Sequence, residues 1–510
     1  MLRRGRSGST TARAVIIGAV VMALGGGTGC QEGVGAGVGA GVGTGAGDGD
    51  GPAVQGALST GVAPSPNPPA GLAVADVPQF VSVTFDDNFG LADPTSAGGA
   101  DYVVDTYRTL KNPAGRGNVA TFDGTPIAST FYNTSIYISD SDDPMHKNRA
   151  SWQRALDAGH EMADHTIHHY NGGTAGDPAG DDCCRPRRFS VAEWVDEIKG
   201  CKDAMTDQAG GLTGLLPPAV VGFRTPFLSY NDELFSALVD QGFLYDSTVP
   251  NCFADGEDGT NCTWPYTLDA GSADAQVLAS KFPGLEPIGA HGGLWEMPTT
   301  TMIIPPDSVA DSYGFTAGLR DRIAALGVLP YPSLYEPATG KLAGLDYTIL
   351  IDAMLSPEEM LAVLKYTLDL HLQGNRSPLI FIAHSFLYDF TGSDEGKPDD
   401  QRDNYTTPSS AVRDARWKAI ADFLAYAVSK PEVRVRPVRD IVAWMQQPTA
   451  LARAGSTAGS SAGAGGCTVA GELSQGGAGS GGMATLALAL AAAFAVGRAP
   501  RARNRRLRPR

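Results

Sequence analysis

The chain has 510 residues, a formal net charge of −16, 64 Gly and 18% charged residues. Much of the glycine lies in the first and last sixty residues, and the ordinary globular sequence between Pro78 and Gln447 is long enough to bury one large core. Arginines crowd both termini, so this middle part is more acidic than the total suggests, which argues against nucleic acid as a partner.

In chain order, Arg3, Arg4, Arg6 and Arg13 lead into the apolar run AVIIGAVVMAL and then GGGTGC, ending at Cys30. Residues 1–30 have the layout of a secretory signal. Cys30 resembles the lipidated cysteine of a lipoprotein signal, although Gly27 stands where Leu is usual; a type I signal peptide is the alternative. Residues 31–76, a GVGAG-type repeat followed by APSPNPPAG, cannot bury a core and read as a tether. The folded domain is expected over 77–448. A Gly/Ser-rich linker over 449–482 contains Cys467, and 483–510 hold MATLALALAAAFAV and seven arginines from Arg498 to Arg510. That run falls short of the roughly 20 residues a spanning helix needs, and the layout resembles a cysteine-containing C-terminal sorting signal. The expectation is an exported, envelope-located protein whose membrane contact is limited to these terminal anchors.

Export also bears on the five remaining cysteines, because disulfides persist outside the cytosol. Cys252 and Cys262 flank the short loop FADGEDGTN and are the expected pair. Cys201 is expected to pair with Cys183 or Cys184. No CxxC spacing points to a thiolate metal site.

Within the domain, FVSVTF, ASTFYNTS, EMADHT, VVGFRTP, FLYDSTV and PLIFIAHSF carry strand signals. SVAEWVDEIKGCKDAM, NDELFSALVDQG and PEEMLAVLKYTLDLHLQG read as helices. This alternation predicts an α/β fold with a parallel sheet, either a barrel or a doubly wound arrangement. In a barrel the chemistry collects where strands end, and the polar residues fall there: Asp86 and Asp87, His165, Arg224, Asp246 and His384.

HTIHH places His165 and His169 at i, i+4, a spacing that aims both imidazoles one way on a helix. One added carboxylate completes a His₂Asp set with a coordination position left open. His168 is the competing ligand, less well spaced. The adjacent carboxylates of TFDD repel each other without a cation; one could bind the metal while the other stays free as a base. Trp152, Trp194 and Trp417 lie in amphipathic stretches and read as core. His146, His160, His291 and His371 lack partners in sequence and read as structural.

The segments VSVTFDD, GHEMADHTIHH, VVGFRTPF, FLYDSTV, WPYT, LWEMP, PLIFIAHSF and IVAWMQQP together resemble the NodB-like polysaccharide deacetylases, and most of all the animal-type chitin deacetylases and their bacterial relatives. The resemblance covers most of the middle segment. It implies a distorted (β/α) barrel with loop insertions and hydrolysis of N-acetyl groups on an N-acetylglucosamine polymer. Asp87, His165 and His169 would hold a divalent metal, Zn²⁺ first among them. Asp86 would be the base, oriented by Arg224, and the backbone N–H of Phe227 would face the oxyanion. His384 would be the acid, held by Asp246. Ile382 and Trp264 or Trp295 would wall the acetyl pocket. Phe227 stands where Tyr is common, and SFLYDF departs from the animal pattern after His384. The other readings of the same site are an O-acetyl (xylan-type) esterase and an inactive carbohydrate-binding protein. The partner expected in each case is an acetylated carbohydrate.

Overall fold

The computed structural model describes residues 61–89, 100–143, 145–173, 187–329, 331–388 and 409–452. The expected signal peptide with Cys30, most of the tether, the C-terminal linker with Cys467, the segment 483–510, and Cys183 and Cys184 lie outside the described residues. Among the described residues, no helix is long and apolar enough to cross a membrane.

The protein is a mixed α/β structure around one curled half-barrel sheet. Its strands are β1 (Gln79–Asp87), β2 (Thr130–Asn133), β3 (Glu161–Asp164), β4 (Gly222–Phe223), β5 (Tyr245–Asp246), β6 (Tyr266–Thr267), β7 (Trp295–Glu296), β10 (Leu379–His384) and β11 (Val433–Val435); β8 (Met302–Ile303) and β9 (Lys341–Leu342) form a separate antiparallel pair. The order across the sheet is β10-β1-β2-β3-β4-β5-β7-β6, with β11 also on β1. All pairs are parallel except β6 with β7. VVGFRTP and FLYDSTV form shorter ladders than their patterns predict. Leu244 and Tyr245 both donate to Val221 O, so the pairing there is irregular.

The helices start where capping chemistry allows. Ser190 and Glu193 form a capping box ahead of Val191–Thr206, and Ser356 and Glu359 do the same, with Pro357 in the first turn, for Pro357–Gln373. Asn231 caps Asp232–Asp240, while its Oδ1 also accepts from Trp194 Nε1 at 2.7 Å. Trp152 and Trp194 are fully buried and Trp417 half-buried, as core residues should be.

Strand β1 shows how the sheet aims the site. Val81, Val83 and Phe85 join the large cluster under the helices, whereas Phe80 joins an inner cluster with Tyr132, Tyr245, Trp264, Trp295 and Trp444. The same alternation puts Thr84 and Asp86 on the inner side. The segment just after residue 60 is fastened to this inner cluster's end of the sheet. Val62 N–H donates to Thr267 Oγ1 at 2.8 Å, Trp264 N–H to Ser65 O at 2.9 Å, and Asn375 Nδ2 to Pro66 O at 2.7 Å.

Cys252 and Cys262 are joined, as expected. Cys201 is not: it is unpaired and buried, and its thiol donates to Asn133 O at 3.2 Å. The helix Val191–Thr206 turns that side chain inward against the end of β2, where the sulfur packs as an apolar group. Changing Cys252 and Cys262 together to Ser is expected to lower stability by about 2–3 kcal/mol, from loop-closure entropy alone. Denaturant titration would show this as a lower midpoint with an unchanged slope; an unmoved midpoint would mean that the loop's own hydrogen bonds hold it.

Candidate active site

At the C-terminal ends of β1, β3, β4 and β10 lies a cavity of about 380 Å³. It is lined by Asp86, Asp87, His165, His169, Phe227 and His384, with Thr225, Leu228, Tyr331, Pro332, Leu345, Tyr347, Asp352 and Phe386 completing the wall. Asp86 and His384 stand opposite each other in register on neighbouring strands. Strand alternation would send Asp86 and Asp87 to opposite faces. The backbone turns left-handed at Asp87 (φ 67°) and Asn88 (φ 64°), and both carboxylates reach the cavity. That turn is pinned: Asn88 Nδ2 donates to Phe85 O, Tyr132 O and Asn133 Oδ1, and Trp152 Nε1 donates to Asn88 O at 2.7 Å.

HTIHH is not helical. His165 follows β3, and left-handed residues at Thr166 (φ 70°) and His169 (φ 58°) fold the loop back so that both imidazoles meet Asp87. The i, i+4 spacing therefore works through a compact turn. Glu197 braces it from the helix Val191–Thr206, accepting from Ile167 N–H at 3.1 Å and His168 N–H at 3.0 Å, with its other oxygen 2.7 Å from His168 Nδ1. His168 is thus a support of the loop.

One ligand atom each from Asp87, His165 and His169 lies within 4.8 Å of the other two. His165 Nδ1 is 2.8 Å from Arg224 O, which can only accept, so Nδ1 carries the proton and Nε2 is bare. That bare nitrogen faces Asp87 Oδ1 at 3.6 Å, and His169 Nε2 faces it at 2.9 Å. Oδ1 is nonetheless buried with no donor in hydrogen-bonding geometry. Burial alone would push the Asp87 carboxyl up, but His169 and His165 beside it hold it below the ordinary carboxylate range. Burial brings His165 down to about 4, so that ring is neutral. A buried carboxylate oxygen converging with a bare imidazole nitrogen is a donor set that fits a divalent cation.

Asp86 is held by a fully buried arginine. Arg224 Nη1 donates to Asp86 Oδ1 and to Thr84 Oγ1, both at 2.7 Å; Nε donates to Ser247 O at 2.8 Å, and the guanidinium lies 4.1 Å over the Tyr132 ring. Phe227 lies in a left-handed turn with Leu228 (φ 59° and 50°), and its ring packs against His169 at 4.7 Å.

His384 is held by Asp346, not by Asp246. Asp346 Oδ1 is 2.7 Å from His384 Nδ1, and Oδ2 accepts from the His384 N–H and from Tyr388 Oη, each at 2.8 Å. Burial lowers the imidazole's affinity for a proton, but the Asp346 charge more than reverses this and raises it to about 9. The strand order gives the reason: four strands separate β5 from β10, whereas the segment carrying Asp346 bridges directly to β10 through Leu345 and Ile382. Asp246 instead accepts from Thr248 N–H and Oγ1, and that hydroxyl accepts from Thr225 N–H at 3.1 Å, so it supports the turn beneath the cavity.

The expected acetyl-pocket wall also differs. Trp264 and Trp295 belong to the inner cluster and Ile382 to the large core; none of the three lines the cavity. The apolar wall comes instead from Leu345, Phe386, Tyr331 and Tyr347, three of which lie in the insertion between β8 and β10. His160, His291 and His371 take partners away from the cavity, at Ser129 N–H, Asp232 Oδ1 and Ser377 O.

No family model matches the chain. Over 328 residues it is 25% identical to chitin deacetylase 8 of Bombyx mori, which covers 63% of this chain and 64% of that protein. Over 182 residues it is 26% identical to chitin deacetylase 1 of the same organism, covering 36% of this chain and 27% of that one. The chain thus spans less than two thirds of either relative. Among solved structures it is similar to the Streptomyces lividans family 4 carbohydrate esterase in complex with acetate, at 13% identity and a TM-score of 0.27, covering 69% of this chain and 90% of that one. Alongside the sequence relatives stands a site assembled from the motif segments in one cavity, and in both respects the chain is similar to the NodB-like polysaccharide deacetylases.

Proposed function

We propose that this protein is a metal-dependent hydrolase that removes N-acetyl groups from an N-acetylglucosamine polymer or oligomer. The observation that carries the reading is a pair of oppositely polarised groups lining one cavity, Asp86 fixed by Arg224 and His384 fixed by Asp346, with Asp87, His165 and His169 in the same lining. Two imidazoles and one carboxylate are a zinc-type donor set, and Zn²⁺ is the ion we assign. Bound there, it would supply Lewis-acid charge that polarises a carbonyl and acidifies water.

The chain's own groups divide the proton work. Asp86 accepts a proton from the attacking water, and Arg224 keeps its oxygens aimed. The Phe227 N–H donates to the carbonyl oxygen as it gains charge. His384 gives its proton to the departing nitrogen as the C–N bond breaks, so that acetate and a free amine leave. An amide nitrogen is a poor leaving group, and an imidazole held protonated up to about pH 9 suits it. A carboxylate base, an acid and a metal set leave no role of the reaction without a candidate, which supports turnover over a binding role alone. The terminal segments support an exported, envelope-located enzyme.

Acetate release from chitooligosaccharides, peptidoglycan and acetylated xylan, with and without chelator, tests the activity. We expect chelator-sensitive release from the N-acetylated glycans; release from xylan alone would replace the amidase by an esterase. Asp86→Asn should lower the rate by at least about 10²-fold with zinc content unchanged, whereas His169→Ala should lose the zinc; full turnover in the first variant would remove Asp86 from its role. The third test is the pH profile. The acid form of His384 is present below its pKa, so activity should fall as pH rises through about 9. In Asp346→Asn that alkaline limb should move down toward about 6.5, the ordinary imidazole value; an unmoved limb would mean that another group sets it.

A further inference from the structure

Among the described residues that line the cavity, Asp352 is a carboxylate that meets neither a cationic side chain nor the histidines of the candidate metal set. It lies at the end of the turn Thr348–Asp352, in the insertion that also brings Tyr331 and Tyr347 to the cavity. Its side chain is half-buried, and Oδ2 accepts from Ser333 Oγ at 2.6 Å. Ser333 is in turn 3.2 Å from Thr348 Oγ1, so the carboxylate is braced from both ends of its own turn. Among the described residues no lysine, arginine or histidine pairs with it, in contrast to Asp86 and Asp87, which meet cationic or metal-binding side chains. A partly buried carboxylate that meets only a neutral hydroxyl is a poor solution for the protein alone, because burial disfavours its charge. It becomes favourable when the occupant of the cavity supplies a positive charge, since hydrogen bonds to charged groups are the strong ones.

We propose that Asp352 is a specificity-determining residue that reads a protonated amine on the glycan, so that the cavity favours a strand already carrying free amino sugars. The inference rests on the deacetylase reading for its biological sense: the reaction leaves such an amine on its product. The recognition itself needs no turnover. An ammonium group beside Asp352 gains a charge-assisted hydrogen bond, whereas a hydroxyl at the same carbon gains a neutral one. A glycan bearing carboxylates in that position would be repelled.

The test uses two tetramers with the same β-1,4 backbone, neither of which is a substrate: the fully deacetylated glucosamine tetramer and cellotetraose, which has a hydroxyl in place of each amine. Their affinities for the full chain, measured by calorimetry near pH 6, give a ratio that a merely structural residue would not move. We expect the wild type to prefer the glucosamine tetramer by about tenfold or more. Asp352→Asn should remove most of that preference, and Asp352→Glu should keep it. Equal weakening of both tetramers, an unchanged ratio, or no preference in the wild type would each overturn the inference. If no glycan releases acetate but the Asp352-dependent ratio is found, the deacetylase reading falls and this one stands.

Discussion

The buried guanidinium of Arg224 is the constraint on which the rest of the site depends. It ties β1 through Thr84 and Asp86 to the chain after β5 through Ser247, and it stacks on Tyr132 of β2. Its own carbonyl receives the Nδ1 proton of His165. One residue therefore orients the Asp86 carboxylate, the proposed base, and also sets the tautomer of an imidazole in the candidate metal set. Buried without Asp86, the cation would be uncompensated, and buried without Arg224, Asp86 would be; removing one partner of such a pair costs about 3–5 kcal/mol. Asp346 repeats the arrangement on the other side with the charges reversed, an anion fixing a cationic imidazole.

Three turns complete the site, and each carries backbone that most side chains avoid. Asp87 and Asn88 after β1, Thr166 and His169 after β3, and Phe227 and Leu228 after β4 all have positive φ. Asn and Asp tolerate this region, but Thr166 is β-branched and does so at real cost, on the order of 1–3 kcal/mol. The surroundings hold these turns in place: Asn88 has three acceptors and the Trp152 indole, Glu197 spans the histidine loop, and Thr225 Oγ1 donates to Ser229 O. Local strain and dense local hydrogen bonding occur together, which is how short strands can present side chains to the cavity with fixed directions.

The sheet and its residues at the strand ends were legible in the sequence because both have local signals: apolar runs, capping residues, and carboxylates or histidines where the runs stop. The helix assumed for HTIHH was wrong for an instructive reason. Spacing alone says that two side chains can meet, and a tight turn satisfies it as well as a helix does. Asp346 was missed because nothing beside it in GLDYT marks a strand end; it becomes the partner of His384 only when an insertion folds against β10. Asp246 was chosen in its place because YDST carries a clear signal, yet strand order puts it out of reach. The resemblance places Trp264, Trp295 and Ile382 in the pocket, but Trp295 of β7 and Ile382 of β10, and Trp264 ahead of β6, all pack into the core clusters. The walls that replace them come from the insertion, where composition is uninformative.

The fastening of residues 62–66 to the inner end of the sheet has a mechanical meaning. Anything that pulls on the chain ahead of residue 61 loads the contacts of Val62 with Thr267 and of Ser65 with Trp264 first. Those contacts sit among Trp264, Trp444 and Phe80, at the end of β1 away from Asp86 and His384. A pull applied at residue 61 is therefore spent in shear against an aromatic block, and the turns around the cavity are left out of the line of force.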